Sequence, residues 1–200
     1  VETVCSLPYI MSCDKDAFRT IGSAENSGTK IVSLSGSLKR SGVAEVPMGT
    51  SIKYILETVS GTDIEKNLVG AAVGGPSSGI LPNEKLNLLI EPGFIDGKYV
   101  MVGAGGIVGI DKAVDPLQIV RILSSYNSRE SCGKCTPCRE GTPRISEMLG
   151  QFVKGKSSTK LTHDLNKLSR TVNAASLCGL GQSAGNPVLS YLEYFENGVK

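Results

Sequence analysis

Between residues 130 and 142 the chain reads ESCGKCTPCREGT, which places three of its six cysteines, Cys132, Cys135 and Cys138, within seven positions. The spacing Cys-x2-Cys-x2-Cys sets three thiolates on one short loop, where two intervening residues let the sulfurs converge while backbone N–H groups turn towards them. An iron–sulfur cube needs this arrangement, because each corner iron takes one thiolate and N–H groups offset the negative charge. A fourth ligand must then come from elsewhere. Cys178, in AASLCGLGQSAGNP, is the favoured candidate, because Gly179 and Gly181 allow the backbone to approach a bulky cofactor. Cys5 and Cys13 are the other candidates; set among Val, Leu, Ile and Met, they read as inert, buried or half-buried thiols.

Other chemistries fit the triplet less well. A structural zinc would accept four cysteines and stays as the alternative, although zinc sites more often arrive as two separated Cys-x-x-Cys pairs. A disulfide staple suits small secreted domains, and 200 residues can bury a core without one. A thioredoxin-like pair would sit on a βαβ unit, which is not evident here. His163 is the one histidine in the sequence and falls among Thr162, Asp164 and Lys167, as a solvated helix residue would. Neither a zinc hydrolase nor a Cys/His nucleophile pair is supported by a single distant histidine. The glycines of VGAGGIVGID (102–111) do not match Gly-x-Gly-x-x-Gly, and no helix-forming stretch follows to aim N–H groups at a phosphate. That stretch reads as a tight strand.

The formal charge of +2, with no dense basic stripe, argues against a nucleic-acid partner. The best apolar run, YVMVGAGGIVGI, is too short and glycine-rich to span a bilayer, so no direct membrane insertion is expected. No signal-peptide pattern is seen, and a cytoplasmic (or, in an organelle, matrix-side) location is expected. The opening VETVCSLPYIM, without an initiator Met, reads as part of a longer protein or a processed product.

The elements that must position the cysteines can be read from periodicity. Residues 1–27 carry a weak helical pattern and end in a polar connector. KIVSLSG and VAEVP read as two strands of a hairpin around the turn SLKRSG. Ile52, Ile55, Leu56 and Val59 mark an amphipathic helix with Thr50 or Ser51 as its cap and Gly61 at its end. NLVGAAVGGPSSGIL follows as strand, glycine turn and strand. From Asp115-Pro116, a good N-cap and first-turn pair, the chain is helical. Further apolar stripes are Ile145, Met148, Leu149 and Phe152; then Leu161, Leu165, Leu168 and Val172; then Val188, Leu192, Phe195 and Val199. Four amphipathic helices with short connections predict an antiparallel bundle. The fold class is thus α+β: a connector over 1–27, a small α+β unit over 28–100, a linker strand over 101–114 and a four-helix bundle over 115–200.

ESCGKCTPCREGT and SLCGLGQSAGNPV together resemble the four-iron cluster domain of the flavin-bearing, NADH-oxidising subunit of respiratory complex I. The same module occurs in NAD-linked and electron-bifurcating hydrogenases and in NAD-dependent formate dehydrogenases, and SLCGLG looks closer to the hydrogenase type. Upstream, GTKIVSLSGSLKRSGVAEVPMGTSIKYIL and AVGGPSSGILP are similar to that family's soluble-ligand-binding β-grasp (ubiquitin-like) unit. VET at 1–3 resembles the tail of its flavin-domain motif, with Thr3 at a position on the flavin's edge. The resemblance implies that Cys132, Cys135, Cys138 and Cys178 ligate one [4Fe-4S] cluster. It implies FMN and NAD as cofactors of the parent protein, whose glycine-rich flavin and nicotinamide loop lies upstream of anything present here. It also implies an electron-relay role within a multisubunit redox complex, with a 2Fe-2S ferredoxin-like subunit as partner. A structural zinc-binding interaction module is the alternative reading, and a regulator binding a small ligand on the β-grasp unit is a third. Gly133, Lys134, Thr136, Arg139 and Gly179 are candidates to surround the cluster; Arg139 and Lys134 read equally as charge-offsetting or as solvated.

Overall fold

The computed structural model describes residues 1–12, 15–155 and 158–196. Helix α1 (Glu2–Ser12) and the short α2 (Lys15–Arg19) precede the sheet. The hairpin forms as its alternation predicts: β1 (Thr29–Gly36) pairs antiparallel with β2 (Gly42–Pro47), and β1 buries Val32 and Leu34. Helix α3 (Ile52–Tyr54) runs on into a π-type turn, Ile55–Val59. Of the two candidate caps Ser51 serves, its hydroxyl accepting the Tyr54 N–H at 3.2 Å. Helix α4 (Ile64–Asn67), β3 (Leu68–Val73), β4 (Ile80–Pro82) and β5 (Gly106–Asp111) complete the sheet unit.

The strand order is β2-β1-β5-β3-β4, with β5 parallel to β1 and antiparallel to β3. The segment expected to be a linker strand, 101–114, therefore supplies the middle of the sheet, and the sheet unit extends to Asp111 rather than ending at 100. The cause is apolar character on both faces, which only a strand covered on both sides can hide. Ile107 joins Ala71, Val73 and Leu81 in the core under α3, while Ile110 joins Ala72 and Ile80 in the core under the C-terminal helices. The glycines of this stretch answer to close packing: a Cβ on Gly105 would lie 2.3 Å from the Ile31 carbonyl oxygen.

The helices follow as α5 (Pro116–Arg129), α6 (Thr136–Val153), α7 (Thr159–Ala175), α8 (Gly179–Ser183) and α9 (Asn186–Tyr191), the last running into a π-type turn, Leu192–Glu196. Asp115 caps α5, its carboxylate accepting the Leu117 N–H at 2.9 Å. The expected stripes face inward: Ile145, Met148, Leu149 and Phe152 on α6, Leu165 and Val172 on α7, and Val188 and Leu192 at the end. Leu161, Leu168 and Phe195 are partly buried against the same core, and Val199 lies outside the described residues. Around the bundle α5 packs on α6, α6 on α7, α7 on α9 and α9 on α5, with α8 as a short connector.

Sheet and bundle share a core, so the sheet unit does not pack separately. Ile80 donates its N–H to the Ser190 hydroxyl at 3.0 Å. The Tyr194 hydroxyl donates to Asp96 at 2.8 Å, and Arg170 donates to the Tyr99 hydroxyl at 2.9 Å. Among the described residues no helix is long and apolar enough to cross a membrane.

Candidate metal centre

The triplet spans the turn between α5 and α6. Cys132 is exposed, Cys135 half-buried and Cys138 buried. Gly133 takes a left-handed φ of +77° that reverses the loop, and no atom crowds its Cα closely, so backbone conformation is what requires glycine there. Cys135 is the N-cap of α6, an eighteen-residue helix with Pro137 in its first turn. Its position puts the thiol at the positive end of the helix dipole, where a negative centre is favoured. Cys138 stands one turn further in, its Sγ 3.2 Å from the Ser131 hydroxyl.

Cys178 is exposed and is the N-cap of the short α8, following the end of α7, where the Ser176 N–H bonds to the Val172 carbonyl at 3.2 Å. Two observations bring this turn against the triplet. The Cys135 thiol is held below the usual thiol range, first by the N–H of Leu177 and next by the N–H of Cys138, with burial opposing. The Ser176 hydroxyl, which has no hydrogen-bond partner of ordinary geometry, adds to that lowering from nearby. On the other side of the turn, a Cβ on Gly181 would lie 2.5 Å from Ser176 Oγ and 3.2 Å from Cys138 Cβ. Gly181 thus permits the close approach its position suggests, whereas nothing lies within 4 Å of a Cβ on Gly179, which has no such duty.

The donor set suits a cluster. The four thiols come from two turns, three around the α6 N-terminus and one at the start of α8, and sulfur is the ligand such a cluster takes. A single zinc would draw all its sulfurs to about 2.3 Å from one centre, whereas a cube spreads them over separate corners. Backbone N–H groups of the kind that lower the Cys135 thiol are what an anionic cluster needs.

The remaining candidates fall elsewhere. Thr3 is exposed on α1 and lines a cavity of about 560 Å³ with Glu2, Ser6, Lys30, Glu91 and Gly103, and no cysteine shares that lining. Cys5, expected to be buried or half-buried, is exposed, because α1 buries none of its residues. Cys13 lies outside the described residues. His163 is exposed and sits 3.4 Å from Asp164. Lys134 and Thr136 are exposed, and Arg139 binds back to the loop, donating to the Gly133 carbonyl at 2.9 Å. Ser131, Ser176 and Leu177 escape a reading of the sequence. A serine or a backbone N–H carries no periodic or spacing signal of its own.

Residues 118–200, which contain all four of these cysteines, match the family described as NADH-ubiquinone oxidoreductase-F iron–sulfur binding region. Over 98% of its length the chain is 35% identical to the NADP-reducing hydrogenase subunit HndC of Solidesulfovibrio fructosivorans, covering 40% of that protein. It is 31% identical, over 98% of its length, to the F subunit of NADH-quinone oxidoreductase of Streptomyces coelicolor, covering 43% of it. A crystal structure of an NAD+-reducing [NiFe]-hydrogenase in the H2-reduced state superposes on 98% of the chain with a TM-score of 0.84 and 28% identity, over 32% of the solved chain. The chain thus spans less than half the length of these relatives, which are subunits of redox enzymes. Its mixed fold, a five-stranded sheet with helices, is similar to that of the matched third of the hydrogenase chain. In its four-cysteine helical region, residues 118–200, the chain is thus similar to the NADH-ubiquinone oxidoreductase-F iron–sulfur binding region.

Proposed function

We propose that this chain is the electron-relay portion of an NADH-dependent oxidoreductase subunit of complex I or NAD-linked hydrogenase type. In this reading Cys132, Cys135, Cys138 and Cys178 ligate one [4Fe-4S] cluster, and the chain carries single electrons from FMN, reduced by a nicotinamide, to a partner subunit. When bound, the cluster supplies reversible one-electron transfer. The chain's residues hold and tune it. The α6 N-terminus and the N–H groups of Leu177 and Cys138 offset negative charge, and the buried side of Cys138 excludes water. The observation that carries the reading is the close approach of the turn after Cys178 to the triplet, where a Cβ on Gly181 would lie 3.2 Å from Cys138 Cβ.

Cys132 and Cys178 are exposed, and Leu177 between the two motifs is 71% exposed. This side is where a 2Fe-2S ferredoxin-like subunit would cover the cluster and shorten the path for the electron. Free thiols throughout the described cysteines suit a reducing, cytoplasmic or matrix-side compartment.

Metal analysis of anaerobically purified protein tests the reading. It should be brown, with about four iron and four sulfide per chain and broad absorption near ~400 nm. Cys178→Ser should lose the cluster or convert it to a three-iron form, because a serine oxygen is a poorer ligand for that corner. Cys5→Ser and Cys13→Ser should leave iron content unchanged. One zinc per chain in a colourless, folded sample would refute the cluster.

A further inference from the structure

Six residues beyond Cys178 the chain turns from α8 into α9, and side-chain amides from neighbouring elements grip that corner. Asn127 on α5 is 1% exposed and donates from Nδ2 to the Pro76 carbonyl at 3.1 Å and to the Ala184 carbonyl at 3.5 Å. Its Oδ1 accepts from the Ser77 hydroxyl at 2.7 Å. Asn173 on α7 accepts the Gly185 N–H at 2.8 Å and donates to Asn186 Oδ1 at 2.9 Å. Asn186, 2% exposed, donates in turn to the Ser77 carbonyl at 3.3 Å. Gly185 is pressed onto α7, where a Cβ would lie 2.6 Å from the Ser169 carbonyl oxygen.

Pro76 and Ser77 belong to neither bundle helix. They lie in the loop joining β3 to β4, and the sheet unit fixes that loop firmly. Gly74 donates its N–H to the Gly106 carbonyl of β5 at 2.7 Å. The Ser78 hydroxyl accepts the Met101 N–H at 2.8 Å and donates to the Met101 carbonyl at 3.1 Å. The corner therefore has one anchor in α5, one in α7 and one in the sheet. Carboxamides suit this place because one side chain satisfies both a buried carbonyl and a buried donor, which an apolar residue would leave unpaired.

The arm between this anchor and Cys178 is short. Helix α8 has five residues, a rise of about 7.5 Å. A tilt of about 10° at the corner would displace the cysteine by about 1 Å, several times the ~0.2 Å latitude of a metal–ligand distance. We infer that Asn127, Asn173 and Asn186, clamped on the 76–77 loop, form a positioning device for Cys178, so that the sheet unit governs the fourth corner of the cluster. The inference rests on the proposed reading of Cys178 as a ligand.

The experiment compares full-length Asn127→Ala, Asn186→Ala and the milder Asn173→Ala, a half-buried site, with Cys178→Ser and with Val32→Ala in the opposite core as a stability control. Each is reconstituted anaerobically and then mildly oxidised, and three-iron cluster is quantified by its paramagnetic signal alongside iron per chain. The asparagine variants should show the three-iron fraction raised about fivefold or more over the parent, while Val32→Ala stays at the parent's level despite its lower melting temperature. Should Asn127→Ala fail to fold, Asn173→Ala decides the matter. Parent-like three-iron fractions in the folded asparagine variants, with Cys178→Ser losing its corner iron, would overturn the positioning device and leave the ligand assignment standing. A complete four-iron cluster in Cys178→Ser would overturn the ligand assignment and the inference together.

Discussion

The Arg139 guanidinium donates from Nη1 to the Gly133 carbonyl at 2.9 Å and from Nη2 to the Thr136 hydroxyl at 3.4 Å, and it pairs with Glu140 at 3.0 Å. It is about half exposed, so its charge reaches a cluster only through solvent-screened space, and its stronger role is to brace the reversed loop that carries Cys132 and Cys135. A lysine keeps the charge but cannot span the two acceptors with a planar fork. Arg139→Lys should therefore speed iron loss to a chelator about threefold or more, while Lys134→Ala, on an exposed side chain of the same loop, should leave that rate unchanged. Equal rates in the two variants would return Arg139 to a charge-only role. Of the candidate site, spacing made the triplet legible, and two glycines beside Cys178 singled out the turn that packs against it. The bracing by Arg139 and the approach of the Ser176 hydroxyl to Cys135 were not legible, because both depend on where a loop folds back rather than on which residues it contains.

Among elements, α1 is held in an unusual way. None of its residues is buried, and its described hydrogen bonds to the sheet come from Glu2, which accepts the Ile31 N–H at 2.8 Å and pairs with Lys30 on β1. The Lys30 ammonium, and after it the Ile31 N–H, hold the Glu2 carboxyl below its ordinary value. A carboxyl depressed on folding contributes its stabilisation above the unfolded pKa of about 4.3 and loses it as pH falls through the lower folded value. Amide exchange in residues 2–12 should thus rise selectively below about pH 4. Glu2→Gln should raise it at neutral pH, with the strands unchanged. Protection in Glu2→Gln equal to the parent's would show that α1 is held by its apolar contacts instead. The long helices were the most legible elements, since Asp115-Pro116 marks the start of α5 and each stripe on α6 and α7 spans several turns. Helix α8 was not, because five residues, two of them glycine, are too few to show a period. The place of β5 was hidden for another reason: a short apolar run announces burial on both faces but not its neighbours.

At the scale of the whole molecule, Ile80 and Ile110 of the sheet lie in one core with Leu117, Val120, Leu165 and Val188 of the bundle. Both isoleucines are almost wholly buried, and truncating either should cost about 2–5 kcal/mol. The cost should fall on sheet and bundle alike. Calorimetry of Ile110→Ala should show a single lowered transition with matching calorimetric and van't Hoff enthalpies. Two separated transitions would mean that the halves unfold independently. The order of strands also bears on how the chain is born. Ser33 of β1 pairs with Gly106 of β5, and Val73 of β3 pairs with Ile107, so the strand that joins the two hairpins is the last of the five to leave the ribosome. Until it arrives, β1 and β3 each present an open edge, the kind of surface that templates aggregation, and their pairing waits on a long-range closure that is intrinsically slow. The cysteine loops are translated only after that strand. Insertion of iron and sulfide into a nascent chain would therefore meet a sheet already able to close, and a ribosome paused before residue 106 would expose the chain to chaperones rather than to the cluster-assembly machinery.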